Sequence, residues 1–309
     1  VRQLLQRDAV FVTGKGGVGK TTFSASLARW ATRNDRRVLL VEIDTDAYLG
    51  RLFGDVAIGF DPVLVAPGIH ACTLHGDACM AAFVQRFVGN RKVAELILGN
   101  KVAQVFFRAA PSVMEAVIMD QLATLLERPR APWDLVIVDL PASGHAVTLL
   151  NVPRSMVQMV RVGELAQHMG RLAALFADAR RAELVLVSLP EEMSVNETIE
   201  LWHRVQEQVP TRCEQVVLNG LRHSEVEAQD ADRLQAWSEG RGDAAARVAY
   251  AARIASFWTE QDAVALERLE TIGRDRIVAL PYFFDKEDDQ ELTQRLAHHL
   301  ERLFPGGSP

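Results

Sequence analysis

Residues 11–22 read FVTGKGGVGKTT, and this stretch constrains the fold more than any other in the chain. Gly14, Gly16, Gly17 and Gly19 have too much backbone freedom for the interior of a helix or a strand, so they mark a loop. AVFVTG (9–14) is a short apolar run rich in β-branched residues, and KTTFSASLARWATRN after the loop repeats apolar positions at helical spacing. The spacing Gly14-x-x-x-x-Gly19-Lys20-Thr21 is that of a phosphate-cradling loop. Successive backbone N–H groups wrap the anion, the helix N-terminus points its dipole at it, and the lysine neutralises it. A glycine turn that merely joins strand to helix is the plainer alternative; the strand before and the helix after favour the cradle.

The alternation continues along the chain. RRVLLVEID (36–44) repeats the strand signal, and DLVIVDL (134–140), AELVLVSL (182–189), EQVVLNG (214–220) and DRIVALP (275–281) are further candidate strands. Runs apolar on both faces suit a mostly parallel sheet covered by helices on both faces. The expected fold class is α/β, a P-loop NTPase, as a single domain over residues 1–309. At about 77–130 and 146–178 helical periodicity runs on without a strand, which predicts an inserted α-helical subdomain. Residues 243–270 predict one long helix, and 288–304 a terminal helix with a leucine-rich face. With 309 residues, 49% of them hydrophobic, the chain can bury a substantial core.

Roles follow from the loop's chemistry. Gly14, Gly16, Gly17, Val18 and Gly19 bring backbone close to the phosphates, and Lys20 neutralises the β- and γ-phosphates. The Thr21 hydroxyl holds Mg²⁺, and Thr22 donates to the α-phosphate. ATP or ADP with Mg²⁺ is the expected cofactor. Lys15 exceeds what one nucleotide needs: it is either a solvated loop lysine or a cation with work elsewhere. The form GKGGVGKTT resembles the deviant Walker A loop of the ATPases that include ParA, MinD, the nitrogenase iron protein, ArsA and the guided-entry ATPases for tail-anchored proteins. That resemblance implies that Lys15 crosses a dimer interface to the partner's nucleotide and ties hydrolysis to assembly.

Other segments are similar to the ArsA and guided-entry branch. VDLPASGH (138–145) resembles its switch II, implying that Asp139 contacts Mg²⁺ through water while Gly144 and His145 move with the γ-phosphate. His145 also reads as a hydrogen-bonded core histidine. VSLPEEMSVNETIEL (187–201) resembles the branch's Pro-Glu and Glu-Thr segment at Pro190, Glu191, Glu197 and Thr198, the last two being equally readable as decoration of a helix face. Asn219 lies where the branch reads the adenine edge, and it is also a natural turn residue beside Gly220. ALPYFFD (279–285) implies closure over the base, with Pro281 against the nucleotide. VEIDTDAYLGRLFG (41–54) aligns on switch I, so Asp44 takes the place of the carboxylate that orients the attacking water and supports the metal. Thr45, Asp46, Ala47 and Tyr48 depart from the branch's pattern, which implies slow hydrolysis or pairing with a related subunit.

Composition narrows the partners. A net charge of -6 argues against a nucleic-acid coat. Cys72, Cys79 and Cys213 form no C-x-x-C pair, so inert thiols in a reducing cytoplasm are expected. The anion-binding cysteines of the arsenite ATPase and the zinc pair of the guided-entry dimer, which would fall in 224–237, have no counterpart. No apolar run reaches the ~18 residues of a membrane span, so no stable insertion is expected. MAAFVQRFV (80–88), VAELILG (93–99), VAQVFF (102–107), VMEAVIMDQLATLL (113–126) and MVQMVRVGELAQHMGRLAALF (156–176) place methionine and aliphatics at helical spacing. Such stripes either pack on the core or form an apolar groove for a hydrophobic helix. The expected activity is ATP hydrolysis by a homodimer, or a heterodimer with a related ATPase subunit, coupled to capture and release of a hydrophobic protein client. The alternatives are a ParA- or MinD-like positioning switch and the energising subunit of an anion pump.

Overall fold

The computed structural model describes residues 2–43, 48–101, 112–126, 132–159, 162–224, 226–284 and 288–304. Four strands, β1 (Ala9–Gly14), β2 (Val38–Ile43), β5 (Leu135–Asp139) and β6 (Ala182–Ser188), are buried at every position. A strand with no polar face must be covered on both sides, and these four lie in the middle of the sheet. With β3 (Val63–Ala66), β4 (Ile69–Leu74), β7 (Cys213–Leu221) and β8 (Ile277–Pro281), the order is β3-β4-β2-β5-β1-β6-β7-β8. Every pairing is parallel except β3 with β4. This is the mostly parallel α/β sheet expected of a P-loop NTPase. The β3–β4 hairpin is not among the strands expected from the sequence; it turns at Pro67 and Gly68, the latter at φ 76. Cys213 opens β7 rather than preceding it.

Side chains alternate between two cores. Val10 and Val12 of β1 face α1 (Lys20–Arg33) and the terminal helix α10 (Asp289–Leu303), while Ala9 and Phe11 face the opposite layer. The leucine face of α10 packs inward, with Leu296 and Leu300 buried and Phe304 against Trp30. The opposite layer holds α5 (Ser143–Met159), α6 (Glu164–Ala177), α7 (Glu192–Gln208) and the long helix α9 (Asp243–Leu269), with α8 (Ala228–Ser238) beside α9. Between β4 and β5 come α2 (Gly76–Val88), α3 (Arg91–Gly99) and α4 (Val113–Leu126). The VAQVFF stretch (102–107) lies outside the described residues.

One buried acid ties these helices together. Asp120 of α4 is 1% exposed, accepts a hydrogen bond from Arg86 of α2 and lies 2.8 Å from Nδ1 of His168 on α6. A carboxylate removed from water is tolerated when partners replace its hydration, and removing it strands those partners. Asp120→Ala should therefore lower stability by about 3–5 kcal/mol in urea denaturation. A loss under ~1 kcal/mol, the value of an exposed pair, would contradict this reading.

Candidate nucleotide site

The described residues expected at the site gather at the carboxyl edge of the sheet. There β1 stands between β5 and β6, the kind of switch point where open α/β sheets bind ligands. The loop after β1 is shaped by close approach. A Cβ at Gly14 would overlap the backbone oxygen of Val187 on β6, and one at Gly19, where φ is 88, would overlap Nδ2 of Asn219. Gly16 and Gly17 face solvent, and Val18 is buried. Among the described residues no side chain caps α1, so its first N–H groups remain for an anion. Thr22, half-buried, sits in this first turn.

The two lysines part ways. Lys20 curls back so that Nζ donates to the backbone oxygen of Lys15 at 3.0 Å. Burial pulls its pKa below the usual lysine value, and the nearby Asp139 opposes that shift. Lys15 turns outward instead, and its Nζ meets Oε1 of Glu197 on α7 at 2.6 Å. The pair is 31% and 42% exposed. Glu197, readable as decoration of a helix face, is thus the partner of the extra lysine. Thr198 is buried, and its hydroxyl donates to the Ser194 carbonyl one turn back, which occupies it within α7.

Asp139 ends β5 and is 2% exposed. It accepts from the Thr21 hydroxyl at 2.6 Å, with the Ser24 hydroxyl at 3.4 Å. Burial pushes its pKa up to about 7. The Thr21 hydrogen bond and the charge of Lys20 resist that rise, while Glu42 adds to it. The β2–β5 register sets Glu42 directly opposite Asp139. Glu42 is a site residue that sequence reasoning missed, although a lone acid in the apolar run VLLVEI was the readable signal. A hydroxyl and a carboxylate in contact beside a phosphate loop are the hard oxygen donors that suit Mg²⁺. Among the described residues no group of three or more His, Cys, Asp or Glu could hold a metal. Phosphate and water would complete the shell, as Mg²⁺ prefers.

Asn219 donates from Nδ2 to the Val18 carbonyl at 3.0 Å, which fastens β7 to the phosphate loop. Beside it Gly220 takes φ 77, and the β7–β8 register shifts between Leu218 and Leu221. Half-buried Pro281 pairs with Leu221 at the end of β8, next to Asn219. His145 is exposed, not a core histidine. It walls a cavity of about 460 Å³ with His75, Asp77, Met114 and Glu115, where the segment after β5 meets the starts of α2 and α4. Asp44, Thr45, Asp46 and Ala47 lie outside the described residues. Cys72, Cys79 and Cys213 are buried, and burial raises the Cys213 pKa. No described helix is long and apolar enough to cross a membrane.

The arrangement has known relatives. The family model described as anion-transporting ATPase, of the ArsA type, matches residues 7–177. The arsenical pump-driving ATPase of Acidiphilium multivorum is 26% identical over 254 residues, 74% of this chain and 42% of its own length. ATPase BagA of Mycobacterium tuberculosis is 26% identical over 245 residues, covering 75% of this chain and 70% of that protein. ATPase ASNA1 homolog 2 of Paramecium tetraurelia is 29% identical over 175 residues, 54% of this chain and 51% of the relative. The match begins before the phosphate loop, runs through Asp139 and His145, and covers more than half of the sequence: the chain belongs to the ArsA ATPase family.

Proposed function

We propose that this chain works as an ATP-hydrolysing dimer whose nucleotide-driven closure binds and releases a hydrophobic protein segment of the tail-anchor type. One observation carries the client half of this reading. A cavity of about 350 Å³ between the helices is lined by apolar side chains alone, among them Met80, Phe83, Val117, Met156 and Leu165. On the helices that line it Phe87, Leu96 and Met159 are 72–78% exposed, apolar surface of the kind that marks interaction sites. The His145 cavity gives this layer a physical connection to the segment after Asp139. A hydrophobic helix is the ligand such a surface recognises, and methionine adapts to varied side chains.

The ATPase half follows from the loop. ATP and water give ADP and phosphate. The loop N–H groups and the α1 terminus bind the phosphates, and Lys20 leaves the Lys15 carbonyl for the β- and γ-oxygens. The Thr21 hydroxyl and, through water, Asp139 would hold Mg²⁺, which would supply charge neutralisation. Asp44 orients the attacking water. Lys15 exchanges Glu197 for the partner's nucleotide; exposed ion pairs are worth about 0–1 kcal/mol, so the exchange costs little. The relatives named as pump-driving ATPases favour a second reading, the energising subunit of an anion pump, and stimulation of turnover by arsenite would select it.

Phe83→Asp and Phe87→Asp test the client half. Each should weaken capture of a synthetic apolar helix by the ATP-bound protein at least about tenfold, the value of one buried apolar side chain. ATP turnover without the helix should stay unchanged. Capture by both variants as tight as by the unaltered chain, or no capture by the unaltered chain, would contradict the proposal.

A further inference from the structure

The face of the sheet beneath α1 turns polar at its last rung. One rung earlier the registers of β4, β2 and β5 set Ala71, Leu40 and Ile137 side by side, all apolar and buried. The rung at the carboxyl edge is Thr73, Glu42 and Asp139, also buried. Neighbouring strands lie about 4.8 Å apart, and residues in register share a face, so Glu42 stands between the other two. On one side the Thr73 hydroxyl is 3.4 Å from its Oε2. On the other its charge helps to raise the pKa of Asp139.

Two carboxylates held out of water on one rung repel each other, a cost that filling the core does not require. The same repulsion reaches whatever binds beside them. Asp139 accepts from Thr21, at the start of the helix proposed to face the phosphates, and a nucleotide without metal brings several negative charges to that place. Both acids oppose it. A divalent cation carried with the nucleotide is attracted by both instead. Each acid therefore enlarges the factor by which Mg²⁺ tightens nucleotide binding, which is also the factor by which nucleotide tightens Mg²⁺.

We propose that Glu42 is a specificity-determining residue of the nucleotide site: its charge, added to that of Asp139, makes the site take nucleotide with Mg²⁺ and reject nucleotide without it. This rests on the Mg²⁺ site proposed above. The test is titration calorimetry with ADP, in Mg²⁺ and in EDTA, on the unaltered chain, Glu42→Gln and Glu42→Asp. Glutamine keeps the size and loses the charge; aspartate keeps the charge and loses the size. The unaltered chain should bind ADP far more tightly in Mg²⁺ than in EDTA. Glu42→Gln should cut the ratio of the two affinities about tenfold, chiefly by binding ADP more tightly in EDTA. Glu42→Asp should hold that ratio within about threefold of the unaltered chain. A side chain that only fills space would give the reverse order. A ratio unchanged in Glu42→Gln, or lowered as far in Glu42→Asp, overturns the role of Glu42 and leaves the metal site standing. A Glu42→Gln chain that fails to fold overturns it as well, because relief of the repulsion should not cost stability. Equal affinity of the unaltered chain in Mg²⁺ and in EDTA overturns the metal site and this role together.

Discussion

Lys15→Ala should bind ATP within about threefold of the unaltered chain and hydrolyse it about 10³–10⁵ times more slowly, the range for a cation supplied to a transferring phosphoryl group. Binding survives because the structure separates the two lysines. Lys20 is placed by the backbone oxygen of Lys15, which alanine retains, and not by its side chain. Neither the glycines nor Asn219 touches the Lys15 ammonium, whose partner is Glu197. In the proposed dimer hydrolysis is lost because the ammonium is needed where charge develops on the phosphoryl oxygens of the partner's nucleotide. Fluorescence titration for affinity and single-turnover phosphate release for chemistry separate the two effects. A variant with full turnover contradicts the assignment.

Asp139→Asn should have the second largest effect, and its sign differs between the empty and the loaded protein. In the unfolded chain Asp139 ionises near 4; in the folded protein its value is about 7. The folded state therefore holds a proton that the unfolded state has lost, and stability without nucleotide falls as pH rises from about 4 to 7, then levels. At pH 8 the penalty is at most about 4 kcal/mol. The asparagine variant removes it and should be about 2–4 kcal/mol more stable than the unaltered chain at pH 8, and close to it at pH 4. Glu183, also raised by burial, contributes to both proteins equally, so the difference isolates Asp139. The same variant should lose the stabilisation expected from Mg²⁺ and ATP, since the carboxylate proposed to support the metal is gone. Urea denaturation across pH, with and without Mg–ATP, checks both signs. Parallel pH curves would contradict the buried-acid reading.

The parts of the fold that could be read in advance were those where physics leaves a local mark. β1, β2, β5 and β6 are buried on both faces, which favours nearly continuous apolar runs, and the phosphate loop announces itself through glycines, of which Gly14 and Gly19 leave no room for a side chain. β3 left only a faint mark, because four apolar residues at a sheet edge, with Leu64 at 61% exposure, are too few to show a period; Pro67 and Gly68 hinted at its turn. Contacts between distant segments were not legible. Lys15 and Glu197 meet across 182 residues because β1 and β6 are neighbours, a fact of topology rather than of either residue's surroundings. Asp120 and Glu42, lone acids in apolar runs, signalled burial, but not the partners that burial would require.

Mixing two inactive variants tests the central claim most directly. Lys20→Ala cannot hold its own nucleotide yet keeps Lys15, and Lys15→Ala holds nucleotide but lacks the cation. If Lys15 serves the neighbouring subunit, an equal mixture should recover about one quarter of the unaltered activity, since half of the randomly paired dimers then carry one complete site of two. A mixture no more active than its separate components, although mixed dimers have formed, would mean that Lys15 does not act across the interface.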